Sequence, residues 1–281
     1  MTVRIVTDSI SDLPQKYIDE YQIGVVPINV RFGDEVLKDG VDIWSEEFYH
    51  RLKNELQEPS TSTSGPGEYL QVYEKIAEPG DTVISIHGSE ALSSSVNSAR
   101  LAAKMVEGRM KVEVINSQSV SMGAGFMALK AARMVKEGFG PELILESISK
   151  WQQESLLFFT VNSLEYLHRN GRIGKAAVLL GGLLNIKPLL SLEEGVIVPM
   201  EKIRGSAEKV AARMVEYIYQ RFGDKPLMVY IGHGELPDAA HQLHKIAKER
   251  LVIAEFVPGI VGPTVGSHAG PEIFGIVATP K

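Results

Sequence analysis

The sequence predicts an α/β fold in which short buried strands alternate with amphipathic helices. Runs of β-branched and aliphatic residues recur along the chain, and segments with apolar residues at helical spacing separate them. This alternation is typical of a mostly parallel sheet with helices on its faces. The chain has 281 residues, of which 44% are hydrophobic and 23% are charged, so it can bury a substantial core and form one or two domains.

The first half of the chain contains the clearest alternation. Pro14 opens a short helix, Gly33-Asp34 has the residues of a hairpin turn, and Ser45 followed by Glu46 is a good helix start. We expect strands over residues 3–7, 24–32, 82–87 and 111–115. We expect helices over residues 14–21, 45–56, 67–77, 95–106, 124–136 and 141–154.

The second half resumes the pattern after residue 155, with a turn at Glu194-Gly195 between two strands. We expect strands over residues 156–160, 187–192, 196–200, 227–231, 252–257 and 273–278. We expect helices over residues 163–169, 175–184, 207–221 and 239–250. The chain therefore divides into predicted domains 1–154 and 155–281, with no linker of Pro, Gly and Ser to mark the boundary.

Composition argues against several classes of function. The formal net charge of -6 argues against a nucleic acid partner, because phosphate binding needs a basic surface. The sequence contains no cysteine, which excludes disulfides and zinc–thiolate sites and suits a reducing cytoplasm. The longest apolar stretch, residues 176–184, is far shorter than the roughly 20 residues of a membrane helix. We expect a soluble cytoplasmic protein that contacts membranes at most transiently.

Two runs of hydroxyl side chains are candidates for binding an anion. The first is Thr61-Ser62-Thr63-Ser64, and the second is Ser93-Ser94-Ser95 at the start of a predicted helix. Neutral hydroxyls can donate hydrogen bonds to an anionic oxygen, and the free N–H groups of a helix N-terminus favour an anion. A solvated loop with a helix cap explains each run without any ligand, so both interpretations stay open.

Histidine and arginine residues beside turns are further candidates. His268 lies in the segment Gly266-Ser267-His268-Ala269-Gly270-Pro271, so we expect its ring to be exposed on a loop and to titrate near neutrality. Tight turns lie beside Arg172 and Arg204, and a guanidinium at such a position can bind a phosphate or a carboxylate. The alternative is that these are ordinary surface residues.

Several enzyme motifs are missing from the sequence. It contains no G-x-x-x-x-G-K-[ST] phosphate loop, no G-x-G-x-x-G after the first strand, no G-x-S-x-G elbow and no H-E-x-x-H. Asp8-Ser9 follows the first strand, where α/β proteins place ligand groups, but a turn or a cap explains it. We expect no catalytic residue and no metal site. The alternative is a stand-alone hydrolase or phosphotransferase that uses Ser93 and His268, for which no third residue is evident.

Seven short motifs occur in a specific order along essentially the whole chain. They are Thr7-Asp8-Ser9, Pro59-Ser60-Thr61-Ser62, Leu92-Ser93, Gly171-Arg172-Ile173, Asn185-Ile186-Lys187-Pro188, Arg204-Gly205 and the histidine segment 266–271. In this order they resemble the DegV family, the acyl-binding subunits of bacterial fatty acid kinases. The chain departs from the family pattern at Ser94-Ser95, where the family has Gly-Thr, and at Glu272, where it has Gly.

The resemblance implies a two-domain α/β fold, with a mostly parallel sheet in the N-terminal domain and a mixed sheet in the second. It also implies a long-chain fatty acid bound between the domains, no cofactor, and ATP chemistry on a partner kinase. The residues implied at the carboxylate are Thr61, Ser62 and Ser93. The residues implied at the kinase partner or the phosphate are Arg172, Arg204 and His268.

The acyl tail must supply most of the affinity in this interpretation. Burying about 14 methylenes at roughly 0.8 kcal/mol each gives on the order of 11 kcal/mol, whereas association costs roughly 4–15 kcal/mol. The candidates for the tail pocket are Phe158, Phe159, Leu179, Leu180, Leu183 and Leu184, for which ordinary core packing is the alternative. A small-molecule sensor on the same fold is a further alternative, because a fold does not determine a function.

Overall fold

The computed structural model describes residues 2–55, 57–181 and 186–281. Its first sheet contains β1 (Val3–Asp8), β2 (Gly24–Val26), β6 (Thr82–His87) and β7 (Lys111–Asn116). The strand order is β2-β1-β6-β7, and all neighbouring strands run parallel. Every residue of β6 is buried, which explains its nearly continuous apolar sequence. The parallel sheet predicted for the first half is confirmed.

The helices of this half cover both faces of the parallel sheet or pack beside it. They are α1 (Gln15–Tyr21), α2 (Ser45–Asn54), α3 (Pro66–Ile76), α4 (Ser95–Met105), α5 (Met122–Lys136) and α6 (Pro141–Glu154). On one face, Tyr69 of α3 and Ala99 of α4 share a core with Val6 and Val83. On the other face lies α5, whose first turns are buried all round because the second sheet covers its far side.

The second sheet is mixed and has six strands in the order β10-β9-β8-β13-β11-β12. They are β8 (Leu156–Val161), β9 (Ile186–Glu193), β10 (Val196–Arg204), β11 (Leu227–His233), β12 (Ile253–Ile260) and β13 (Ile273–Pro280). Its helices are α7 (Glu165–Arg169), α8 (Ala207–Phe222), α9 (Pro237–Arg250) and α10 (Pro263–Ala269). The outer face packs on α8 and α9, and the inner face is turned towards α5.

Residues 24–32, predicted as one strand, form two strands in different sheets. After β2 ends at Val26, β3 (Asn29–Phe32) pairs with β4 (Glu35–Lys38) and β5 (Pro59–Ser62) in a third, antiparallel sheet. Pro27 interrupts the strand because it has no N–H to donate. The alternative of a solvated loop for the hydroxyl run 61–64 does not hold at Thr61 and Ser62, because β3 supplies backbone partners for them.

Two helix predictions and one loop prediction need correction or lie partly outside the described residues. The segment predicted as a helix over 175–184 is a 3₁₀ helix at Gly174–Leu179, and residues 182–185 are outside the described part. The α2 helix ends at Asn54, and Leu56 is also outside it. The loop expected around His268 contains α10 instead.

The predicted boundary at residues 154 and 155 falls between the end of α6 and the start of β8. One hydrophobic core nevertheless crosses this boundary, since Ile84 and Phe126 belong to the same buried cluster as Met228 and Val277. The division into domains 1–154 and 155–281 therefore stays a prediction.

The helix α10 is attached to the first half of the chain by two carboxyl groups, those of the half-buried Asp12 and the buried Asp39. Asp12 Oδ1 accepts a hydrogen bond of 3.0 Å from the Gly262 N–H, directly before α10. Asp39 Oδ2 accepts bonds of 3.1 Å from the Thr264 N–H and 2.5 Å from its hydroxyl. These bonds satisfy N–H groups that have no partner within the helix. They hold α10 against the parallel sheet and the third sheet.

Removing the Asp12 carboxyl group tests this attachment through its pH dependence. Burial raises the pKa of Asp12 from 3.8 to about 8, with Asp39 adding to the effect and the Ser121 and Gly262 hydrogen bonds opposing it. Between these values the folded state keeps a proton that the unfolded state has lost, so the free energy of unfolding falls as pH rises. The slope approaches about 1.4 kcal/mol per pH unit for one group.

We expect Asp12→Asn to remove this contribution while keeping the size of the side chain. Urea denaturation of both proteins between pH 5 and pH 8 gives the two slopes, and every other titrating group is common to both. The free energy of unfolding of the wild type should fall relative to that of the variant as pH rises. A constant difference would contradict a protonated Asp12.

Candidate functional site

A cavity of about 270 Å³ lies between the inner face of the six-stranded sheet and the first half of the chain. Phe159 and Val277 from the sheet, with Leu92 and Val120 from the opposite side, are among the many apolar side chains of its wall. Polar groups from β5, from α10 and from the segment before α4 also line it. An elongated apolar molecule with one polar end matches this distribution.

Thr61 and His268 meet at the polar part of the cavity, although 207 residues separate them in the chain. A hydrogen bond of 2.8 Å joins Thr61 Oγ1 and His268 Nε2. The strand β5 places the threonine and the last turn of α10 places the histidine. Their contact therefore depends on the attachment of α10 to the first half of the chain.

The structure differs from the expectation for His268. The ring is half-buried on a helix, not exposed on a loop. Burial, and then the nearby Arg172 guanidinium, lower the pKa of His268 from 6.5 to about 4, so the ring is neutral at pH 7. Its Nδ1 atom is buried and has no hydrogen-bond partner within the described residues. Titration near neutrality is therefore not expected.

Ser93 borders the same part of the cavity, just before α4. Its Oγ accepts a hydrogen bond of 3.2 Å from the Ser95 N–H and lies 2.9 Å from the Ser95 hydroxyl. The Thr63 hydroxyl is 3.5 Å away, at the limit of a hydrogen bond. Ser62 also borders the cavity, but it is exposed, and no hydrogen bond of its side chain occurs in the described part of the chain.

Arg172 is held at the cavity by two backbone carbonyl groups. Its Nε donates to Leu92 O at 3.0 Å and its Nη1 donates to Asn170 O at 2.7 Å. The bond to Leu92 connects the second half of the chain to the residue before Ser93. Both bonds fix a positive charge near His268.

The remaining predicted positions lie in different places. Phe158 and Phe159 of β8 both line the cavity. Arg204, at the end of β10, is exposed and does not line it.

The predicted leucines of the tail pocket are not part of the cavity wall where the structure describes them. Leu179 is buried in the core, and Leu180 is 42% exposed. The 3₁₀ helix has three residues per turn, so the faces expected of an α-helix do not apply. Leu183 and Leu184 lie outside the described residues.

Sequence reasoning missed the part of the cavity wall that β11 and β13 supply. Gly232 lies beside Gly259 on one neighbouring strand and Gly275 on the other. The Tyr230 ring covers two of these glycines, since a Cβ built on Gly259 would lie 2.6 Å from it. Any side chain at that position would displace the ring. A glycine in or close to each of three predicted strands was the available sequence signal for this part of the wall. That the three glycines lie side by side follows only from the strand pairing.

A family model described as "Uncharacterised protein, DegV family" matches residues 2–281. This chain belongs to the DegV family. A DegV domain-containing protein from Caldanaerobacter subterraneus is 33% identical over 277 residues, covering 98% of this chain and 97% of that protein. The family resemblance carried by the seven motifs is confirmed.

Two solved structures of DegV-like proteins have the same fold. The fatty-acid-binding DegV family protein from Thermus thermophilus has a TM-score of 0.92 at 32% identity and covers 100% of both chains. A stearic acid-binding protein from Eubacterium ventriosum has a TM-score of 0.86 at 26% identity, covering 100% of this chain and 99% of that one. Both of those proteins bind fatty acids, and the predicted fold class of this DegV family member is confirmed.

A second polar network in this DegV family member is fully buried in the first half of the chain. Asp8 Oδ2 and His87 Nδ1 are 2.9 Å apart, His87 Nε2 and Ser85 Oγ are 2.6 Å apart, and the Tyr73 hydroxyl lies 2.9 Å from Ser85. The order Asp–His–Ser is that of a catalytic triad. All of these side chains are 0% exposed, so the network has no route to a substrate. Its contribution is to structure.

Neither a metal site nor a membrane-spanning helix is found in the described residues. They contain no group of His, Asp or Glu side chains placed to hold a metal ion. Nor is any helix among them long and apolar enough to cross a membrane.

Ser85→Ala tests how much the buried network stabilises the fold. The substitution leaves the His87 Nε2 atom and the Tyr73 hydroxyl without their shared partner, so we expect the free energy of unfolding to fall by about 1–3 kcal/mol. Urea denaturation at pH 7 measures it. Thr7→Val is the matched control, because the buried Thr7 hydroxyl has no partner within the described residues. It should be neutral or stabilising, and an equal loss in both variants would contradict the assignment.

Proposed function

We propose that this protein binds a long-chain fatty acid in the cavity and presents its carboxylate to a partner kinase. The observation that carries the proposal is the meeting of Thr61, Ser93, His268 and Arg172 beside a largely apolar cavity. The fatty acids bound by the similar proteins from Thermus thermophilus and Eubacterium ventriosum support it. We propose the cytoplasm as the compartment, as the composition predicts.

The head group accepts hydrogen bonds from hydroxyl groups. The neighbouring side chains decide whether each hydroxyl has a proton free for it. Neutral His268 has a single N–H, and its Nε2 atom is hydrogen-bonded to Thr61 Oγ1. When the proton is on Nε2, the histidine donates to Thr61, and the threonine proton is then available for the carboxylate. A carboxylate selects this arrangement because it can only accept hydrogen bonds. Arg172 adds a positive charge that offsets the desolvation of the anion.

Affinity and orientation come from different parts of the ligand. Each buried methylene contributes about 0.8 kcal/mol, so the tail supplies most of the favourable free energy. Each hydrogen bond to the charged head contributes about 1.5–3 kcal/mol and determines which end of the molecule lies at Thr61 and Ser93. The cavity wall at Phe158 and Phe159 contacts the tail in this proposal.

A kinase partner then supplies the ATP chemistry. A carboxylate oxygen attacks the γ-phosphorus of ATP, the bond to the β–γ bridging oxygen breaks, and acyl phosphate and ADP result. The sequence lacks a phosphate loop of its own, and the family resemblance points to a separate kinase subunit. Arg204, exposed and away from the cavity, is proposed to contact that partner.

The stand-alone hydrolase is less well supported by the geometry. A serine nucleophile needs a base within hydrogen-bond reach. Among the described residues Ser93 is bonded to Ser95 and close to Thr63, whereas His268 is bonded to Thr61. The triad-like network of Asp8, His87 and Ser85 is sealed from the cavity. A polar small-molecule sensor is also less well supported, because so much of the cavity wall is apolar.

Thr61→Val tests the head-group contact and the function together. Delipidated wild-type protein should bind a long-chain fatty acid, measured by calorimetry and by native mass spectrometry. Valine keeps the shape of threonine but loses the hydroxyl, so we expect the affinity for the acid to fall by about 10-fold to 150-fold. Affinity for the fatty alcohol of the same length should change far less.

Ser60→Ala is the control, because Ser60 is an exposed neighbour on the same strand that does not line the cavity. It should bind the acid as wild type does. Failure of the delipidated wild type to bind any fatty acid would end the proposal. Equal losses for acid and alcohol in Thr61→Val would remove Thr61 from the carboxylate site.

Arg204→Gln separates partner contact from ligand binding. Because Arg204 is not part of the cavity wall, we expect unchanged fatty acid affinity and a lower rate of acyl phosphate formation with the kinase subunit and ATP. The rate is measured as fatty-acid-dependent ADP release. An unchanged rate at subsaturating kinase concentration would exclude Arg204 from the contact, and no ADP release with any kinase subunit would contradict the kinase proposal itself.

A further inference from the structure

The Ser93 hydroxyl has one proton and two acceptor positions, and its surroundings decide which of them faces the cavity. The Ser95 N–H, at 3.2 Å, occupies one acceptor position. The Ser95 hydroxyl, at 2.9 Å, interacts with Ser93 as either donor or acceptor. The direction of this single bond determines what Ser93 offers to a ligand.

The two directions have opposite consequences for an anion. If Ser95 donates, both acceptor positions of Ser93 are occupied and the Ser93 proton is directed towards the cavity, where the Thr63 hydroxyl lies 3.5 Å away at the limit of a hydrogen bond. If Ser93 donates to Ser95, a lone pair of Ser93 faces the cavity and repels a carboxylate. Ser95 is fully buried, so no bulk water competes for its proton.

A carboxylate ligand selects donation from Ser95 to Ser93, because it can only accept hydrogen bonds and needs the Ser93 proton. In the described part of the chain, the Ser95 hydroxyl makes its hydrogen bond with Ser93. The buried Tyr69 hydroxyl makes no hydrogen bond in that part of the chain. Ser93 is therefore the partner that receives the Ser95 proton.

We propose that Ser95 is a positioning residue that donates to Ser93 and thereby turns the Ser93 proton towards an anionic head group. This inference rests on the proposed function, since it concerns the same carboxylate. It assigns a role to Ser95, the third hydroxyl of its run, whose other interpretation is a helix cap. The Ser95 side chain points back to Ser93, and Ser94, at the N-cap position, makes no capping hydrogen bond with its side chain.

Ser95→Ala tests this role, because alanine keeps the N–H bond to Ser93 and removes only the hydroxyl. We expect the affinity for a long-chain fatty acid to fall roughly threefold to tenfold, the effect of one neutral hydrogen bond. Affinity for the fatty alcohol of the same length should stay within about twofold, because an alcohol can donate to whichever lone pair Ser93 presents. Ser95→Thr, which keeps the hydroxyl, should restore the preference for the acid.

Ser98→Ala is the matched control, since Ser98 is half-buried on the same helix and does not line the cavity. A double-mutant cycle gives the decisive comparison. Because Ser95 acts through Ser93, adding Ser95→Ala to Ser93→Ala should cause no further loss of acid affinity. If Ser95→Ala does not fold stably, Ser95→Cys, with its weak donor, replaces it in the same comparisons.

Two results would overturn the role of Ser95. One is an equal loss for acid and alcohol, which indicates a structural effect. The other is an additive loss in the double variant, which indicates action independent of Ser93. A wild-type protein that binds no fatty acid would instead refute the proposed function, and the alcohol and acid measurements on wild type distinguish that case.

Discussion

The site depends on the position of α10, a helix of only seven residues. Asp12 and Asp39 from the first half of the chain hold its beginning, and His268 near its end meets Thr61 of the third sheet. The shared hydrophobic core sets the six-stranded sheet against the first half of the chain, and this attachment sets the position of α10 relative to β5. The contact between Thr61 and His268 therefore depends on a few hydrogen bonds between distant segments.

The polar groups at the cavity share one arrangement. Thr61 is hydrogen-bonded to a histidine nitrogen, and Ser93 is hydrogen-bonded to the backbone and hydroxyl of Ser95. A hydroxyl that accepts from such a neighbour has its own proton left for a ligand. This allows neutral side chains to face an anion, while Arg172, fixed by two carbonyl groups, supplies charge at a defined place. Burial keeps His268 neutral and so limits it to a single proton.

The buried network of Asp8, His87, Ser85 and Tyr73 shows why residue types do not identify a catalytic site. Its distances match a catalytic triad, yet no atom of it reaches solvent. The histidine that lines the cavity is another one, and it contacts a threonine. The buried network and the cavity site differ in whether a ligand can reach the histidine and in which groups the histidine bonds. Both properties depend on packing.

The sequence alone determined the alternating elements and the family, and it named Thr61, Ser93, Arg172 and His268, because these depend on local periodicity and on short motifs. Tertiary structure decided the break at Pro27, the pairing of the polar segment 59–62 as a strand, and the burial that lowers the pKa of His268. It also decided that Leu179 and Leu180 lie away from the cavity. Proline marks the break locally, but strand pairing and desolvation arise from residues far apart in the chain, so local sequence carries no signal for those two.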